Sequence, residues 1–275
     1  MQEQVLILEH GRTEKNYWTD LWRFRELFLI LAWRDLAVRY KQTVIGILWA
    51  ILRPFLTMVV FTVIFGRVAG LPSEGNAPYA LMVFAAMLPW TLFATSLSEA
   101  SNSLIANANL ISKVYFPRLI VPTATIVTGL ADFLISFVIL LGLMAFYRYP
   151  PTWRFVLLPG FILLALLASL GPSLWITALN VKYRDFRYVI PFLVTFGLYV
   201  SPVGFSTSAI PEQWRLLYSL NPMVGVIDGF RWCILSGDSP IYLPGFLLSL
   251  VVVAFFLWLG ISQFRKMERT FADLI

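Results

Sequence analysis

Long apolar runs alternate along the chain with short polar segments that carry the cations. About 20 predominantly apolar residues span a bilayer as helix, and six runs approach that length: 44–65, 77–98, 119–146, 155–179, 189–206 and 243–264. The first is interrupted only by Arg53-Pro54 and the third carries one acid, Asp132. The fifth is short and holds Pro191, Gly197 and Pro202. Two further stretches follow a different pattern. Residues 17–33, YWTDLWRFRELFLILAW, set Tyr17, Leu21, Phe24, Phe28 and Leu31 on one helical stripe with Thr19, Arg23 and Glu26 opposite. That spacing predicts a helix along the cytoplasmic interface, aromatic stripe in lipid and charges in water. Residues 207–242 are apolar throughout, too apolar for a segment that meets only water. Pro211 opens a short helix ending at Asn221-Pro222 and Met223–Leu235 forms a second; both read as re-entrant helices in the outer leaflet, where a helix satisfies its own backbone. The fold class is an all-α integral membrane protein. A cytoplasmic segment (1–43) precedes a six-helix transmembrane domain (44–264) and a cytoplasmic tail (265–275).

Composition sharpens this picture. Of 275 residues, 59% are hydrophobic and 13% charged, with a mean hydropathy of +0.77. A water-soluble domain carries about a quarter charged residues, so this surface faces lipid. The net charge of +6 could suggest nucleic acid, but the cations sit at the ends of apolar runs rather than along one basic face, and no nucleic-acid partner is expected. With the N-terminus inside, fifteen Lys and Arg fall on the inner side and five on the outer, Arg53 left unassigned. This asymmetry places both termini in the cytoplasm. The first forty residues are charged and aromatic and contain no cleavable signal.

The chemistry the chain lacks excludes several classes. His10 is the one histidine and Cys233 the one cysteine, so there is no histidine-based triad, no thiolate or imidazole metal site and no intrachain disulfide. No paired carboxylates suited to magnesium lie in or beside a run, and no G-x-x-x-x-G-K-[ST] loop is present to hold ATP. A transporter built on this chain takes its energy from a partner or a gradient. Gradient coupling would use mid-membrane charges, and the candidates are Asp132 and Arg53. Asp132 reads as an acid satisfied by neighbouring hydroxyls or another helix, with a proton relay as the alternative. On a helical wheel Trp49, Arg53, Leu56 and Val60 share one face, and Pro54, Met58, Phe61 and Phe65 the opposite one. The first face lines something polar while the second packs, or else Arg53 pairs with lipid phosphate at the inner interface. Pro54 removes a backbone hydrogen bond and predicts a kink.

Four stretches, in order, resemble the ABC-2 type permeases that export polysaccharides: the O-antigen, capsule and teichoic acid exporters. They are RYKQTVIGILWAILRP (39–54), NANLISKVYFPRLIVP (107–122), LNVKYRDFRYVIP (179–191) and LNPMVGVIDGFRW (220–232). The resemblance runs from about residue 20 to 270. It implies a homodimer in the bacterial inner membrane, each copy on a separate cytoplasmic ATPase subunit that binds the ATP and Mg, with no cofactor in this chain. Two copies would enclose a channel for a lipid-linked polysaccharide. The interface helix at 17–33 and the turns around 107–118 and 180–187 would meet the ATPase and carry its motion into the spans, the turns through Asn109, Lys113, Tyr115, Arg118, Tyr183, Arg184 and Asp185. The helices of 211–235 would form an outer gate, with Trp214, Asn221, Pro222 and Arg231. A polyprenyl diphosphate arriving at the cytoplasmic face would meet Arg34, Arg39 and Lys41, since charge-assisted hydrogen bonds to phosphate are strong. Sugar faces stack weakly on aromatic rings, so Trp49, Phe55, Phe61, Phe65, Tyr199 and Phe205, with Arg53, are the expected channel lining. The alternatives are an ABC-2 permease for a smaller lipid or drug, a membrane enzyme of glycan assembly, and a gradient-driven transporter.

Overall fold

The computed structural model describes residues 17–41, 44–183, 185–235 and 241–271, so His10 and Arg184 lie outside the described residues. Every regular element among them is helical. Apart from three short 3-10 turns (Trp153–Leu157, Thr207–Ala209 and Glu268–Thr270), these are in chain order α1 (Tyr17–Arg23), α2 (Arg25–Lys41), α3 (Val44–Phe61) running into a π-helical segment (Thr62–Val68), α4 (Tyr79–Ala106), α5 (Ala108–Lys113), α6 (Ile120–Phe146), α7 (Leu158–Lys182), α8 (Phe186–Val200), α9 (Glu212–Tyr218), α10 (Pro222–Ile234) and α11 (Leu243–Met267). Five stretches are long and apolar enough to cross a membrane: Ile51–Val68, Tyr79–Ala106, Ile120–Phe146, Trp153–Lys182 and Leu243–Thr270. The fifth expected run, 189–206, becomes the 15-residue apolar α8. It stops at Val200 because the residue before a proline is driven out of the helical region; Ser201, before Pro202, is extended (ψ 152°).

α4 is the axis of the bundle. Residues 80–90 are buried without a break, and α3, α6, α7, α8 and α10 all pack on it. α7 and α11 cross backbone to backbone at two glycines: a Cβ on Gly171 would lie 2.5 Å from the Phe256 carbonyl carbon, and one on Gly260 2.2 Å from the Gly171 oxygen. Small residues at a crossing permit this approach and the dispersion contacts that hold helices together in lipid.

Three expectations meet their test here. The helical wheel of α3 holds: Trp49, Arg53, Leu56 and Val60 are exposed, whereas Pro54, Met58 and Phe61 are buried. The helix continues through Pro54. The stripe of 17–33 is a correction. Tyr17 and Leu31 are buried, and Leu21, Phe24 and Phe28 pack with them against Leu104, Ile111, Leu119 and Phe264 at one end of the bundle. The stripe therefore faces protein rather than lipid, and the outward face carries Trp18, Trp22, Leu29 and Trp33 instead. Both stripes have helical spacing, and the one that found more apolar partners won the interior. Finally, the two helices expected within 211–235 form where the proline and Asn221 punctuation placed them, but they differ in environment. α10 is buried along its length against α4, α7 and α11, while α9 leaves Trp214, Leu216 and Leu217 exposed.

Candidate functional site

α8 presents a ladder of exposed rings. Tyr188, Phe192, Phe196 and Tyr199 recur at i, i+4, i+8 and i+11, a spacing that places them on one helical face. The Phe192 and Phe196 rings stack at 5.7 Å and 12°. The ladder meets α3 through Tyr199, stacked at 6.3 Å on Phe61, which lies 5.2 Å from Phe65. The expected channel residues thus divide. Trp49, Arg53 and Tyr199 are exposed. Phe61 is buried, and with the half-buried Phe65 it pins α3 to the segment after α8, against Gly204. Phe55 turns to another side of α3, and Phe205 packs near the Tyr218 ring. Tyr188, Phe192 and Phe196 escaped the sequence reading, although their four-residue spacing inside an apolar run was the available signal.

α2 is fastened to the bundle by charge. Arg39 forms ion pairs with Glu99 of α4 and with Asp132 of α6 (2.7 Å), and the Tyr40 hydroxyl donates to the other Asp132 oxygen. Asp132 is therefore satisfied by a hydroxyl and another helix. Burial, the hydrogen bond to Asp132 and that carboxylate's charge together hold the Tyr40 phenol well above its ordinary range, opposed by Arg39. Arg34 donates to Asp35 (2.7 Å) and to Asn107 (2.9 Å), and Lys41 is exposed at the end of α2. A second clasp centres on Glu268. It accepts from the Tyr17 hydroxyl (2.9 Å) and the Arg118 amide (2.6 Å), and its carbonyl accepts from the Arg118 guanidinium. Asn109, Lys113, Tyr115, Tyr183 and Asp185 stand exposed on the same end of the bundle.

The opposite end of the bundle is organised by Arg231, which is fully buried in α10. Its guanidinium donates to Glu74 (3.2 Å) and to the carbonyls of Phe205 (2.9 Å), Val203 (3.1 Å) and Met82 (3.4 Å). Residues 201–206 are irregular and largely buried, so their carbonyls need donors that water cannot supply there. Arg231 supplies two, the Tyr79 hydroxyl reaches Gly204, and Tyr218 reaches the Val200 carbonyl at 2.6 Å. Asn221 caps α10 by accepting from the Met223 amide (3.0 Å), donates to the Ser201 hydroxyl (2.9 Å), and is followed by Pro222 at the first helical position. Asp228 accepts from Thr207 (2.7 Å). Its burial pushes the carboxyl up to about 6, against the opposing pull of Thr207 and Arg231. Of the four expected gate residues, Asn221, Pro222 and Arg231 fasten the segment after α8 to α10, and Trp214 is exposed on α9. Among the described residues no group of three or more His, Cys, Asp or Glu side chains could hold a metal ion.

Comparison with known proteins agrees with this architecture. Residues 26–235 match the ABC-2 type transporter family. An O-antigen export system permease protein RfbA of Myxococcus xanthus is 31% identical over 259 residues, 93% of this chain and 98% of that protein. Its namesake of Klebsiella pneumoniae is 26% identical over 257 residues, 91% and 95% of the two chains. The inner membrane transport permease YadH of Escherichia coli K12 is 25% identical over 230 residues, 78% and 88%. A family match over most of the chain, joined to near end-to-end similarity with the first of these relatives, settles the assignment: this multi-pass membrane protein belongs to the ABC-2 type transporter family.

Proposed function

We propose that the chain is the permease subunit of an O-antigen exporter, in which two copies with two separate ATPase subunits move a lipid-linked polysaccharide across the cytoplasmic membrane. In this reading α8 is the sixth membrane-crossing element, α9 and α10 lie in the outer leaflet, and both termini are cytoplasmic. The observation that carries it is the ring ladder of α8, which continues onto α3 where Tyr199 stacks on Phe61. Stacked rings grip a pyranose face through many weak contacts, so a polymer slides along them without a deep trap. Near end-to-end similarity to permeases named for O-antigen export supports the cargo. Arg34 and Lys41, with Arg39 behind them on its two carboxylates, stand where a diphosphate would arrive. Asn109, Lys113, Tyr115, Tyr183 and Asp185 form the ATPase contact. ATP and Mg belong to that partner.

Purification in mild detergent tests the assembly: an ATPase subunit should co-purify in equal amount. The path is tested by replacing Tyr188, Phe192, Phe196 and Tyr199 together with Ala. Surface O-antigen should fall by an order of magnitude or more, at about 1 kcal/mol for each lost stack, while membrane level and ATPase association stay normal. Unchanged export in that variant would remove the ladder from the path.

A further inference from the structure

A crevice lies on the side of the bundle away from the ring ladder. Phe55, Val59, Thr62, Val63 and Arg67 of the first span form one wall, and the outer end of α6, with Phe146, forms the other. Its volume of about 510 Å³ falls within the range of small-molecule sites, about 300–1,000 Å³. From Phe55 to Arg67 the wall is about 18 Å long at 1.5 Å per residue. The hydrocarbon of a bilayer is about 30 Å thick, so this length matches one leaflet rather than two. The lining is apolar except at defined points. Arg67 is its one cation, no acid faces it, and the buried Thr62 hydroxyl finds no hydrogen-bond partner among the described residues. Thr62 opens the π-helical turn, where backbone spacing departs from the α pattern, and such turns concentrate at functional sites.

We propose that this crevice binds an outer-leaflet phospholipid, one acyl chain lying along Phe55, Val59 and Val63 and the phosphate meeting Arg67. Length, apolar lining and charge each select the same occupant. A chain of one leaflet fills the groove, and an anionic headgroup at its mouth satisfies an arginine that would otherwise point from a span into the interface. The leaflet named here rests on the orientation proposed above; binding itself does not depend on export.

The test uses the full permease in phosphatidylcholine vesicles doped with phosphatidylglycerol bearing a photoreactive diazirine near the end of one acyl chain. After illumination, labelled peptides are mapped by mass spectrometry. Label should concentrate on 55–67 and 141–147. Val63→Trp, which fills the groove from an exposed position, and Arg67→Gln, which removes a charge-assisted contact, should each lower it there about tenfold. Val138→Trp, on the exposed flank of α6, should leave it unchanged. Label spread evenly over the exposed helices, or unaffected by Val63→Trp and Arg67→Gln, would overturn the proposal. So would an inter-protomer disulfide through Val63→Cys in a Cys233→Ala background, since a second copy would then cover the groove. Labelling of Arg67→Cys by an impermeant thiol reagent in intact cells reports the orientation separately, so an inverted topology cannot be mistaken for loss of the site.

Discussion

Replacing Arg231 by Met should cost more than any other single substitution in its half of the molecule. The side chain is fully buried and serves Glu74 and the carbonyls of Val203 and Phe205 at 2.9–3.2 Å. Removing one partner of a buried ion pair costs about 3–5 kcal/mol, because the other charge keeps its desolvation penalty. Total stabilities of about 5–15 kcal/mol are usual, so the loss is a large fraction of the whole. Glu74→Gln keeps an acceptor in place but leaves the buried guanidinium without its counter-charge, so it should also cost about 3 kcal/mol. The double variant Arg231→Met/Glu74→Leu removes the stranded carboxylate but leaves the two carbonyls without their donor, so it should recover part of the loss, a coupling of about 1–3 kcal/mol. Thermal unfolding of the solubilised protein gives the order of the variants. Limited proteolysis supplies the local readout: residues 201–210, protected in the parent, should become cleavable in Arg231→Met. Parental stability in that variant, or strict additivity in the cycle, would refute the view that Arg231 holds this segment.

Three further outcomes are expected. Gly171→Val drives its side chain into the Phe256 backbone, 2.5 Å from the Cβ position, and should destabilise by about 1–3 kcal/mol or more, whereas Gly160→Ala, which meets open space, should be silent in the same melt. Asp132→Asn leaves Arg39 its Glu99 partner and, at a partly exposed pair, should cost only about 1 kcal/mol; export persists if Asp132 is structural, and its collapse in a stable, ATPase-associated variant would make Asp132 a proton carrier instead. Folding raises the Asp228 pKa from its ordinary 3.8 to about 6, so the folded protein binds a proton that the unfolded chain releases. Stability should therefore fall as pH rises through that window; Asp228→Asn should flatten this dependence, and an unaltered slope would assign it to another group.

Most of the scaffold was legible because period and punctuation are local. The two faces of α3 followed from 3.6-residue spacing, and α9 and α10 from Pro211 and the Asn221-Pro222 cap. Two things were not local. In residues 17–33 two stripes compete, and only the neighbouring cluster of Leu104, Ile111, Leu119 and Phe264 decides which is buried. Nor does any spacing show that Arg39 meets Glu99 and Asp132, or that Arg231 meets Glu74, partners 60, 93 and 157 residues apart in the chain. A cation near a span end is what membrane orientation requires anyway, so its sequence context hides whether it is bound to protein.

These two charge clusters fix opposite ends of the same helices. Arg39 joins α2 to α4 and α6 near one end, and Arg231 joins α10, α4 and the segment after α8 near the other. α4, common to both, is the most buried element and behaves as a fixed axis. α3 and α8 are held differently: by rings and close apolar contacts, Phe61 on Tyr199 and Trp90 against Gly197, with single hydroxyl bonds such as Tyr79 to Gly204 near their outer ends. Apolar contacts are non-directional and tolerate sliding, whereas bidentate and buried ion pairs do not. A displacement of α2 by a cytoplasmic partner would therefore reach the rest of the molecule most easily through α3, its direct successor in the chain, and through α8 beside it. α3 and α8, held mainly by rings and apolar contacts, carry Trp49 and the ring ladder, which is the arrangement the proposed translocation path needs: a polar frame that holds its shape around an apolar, aromatic wall that can move.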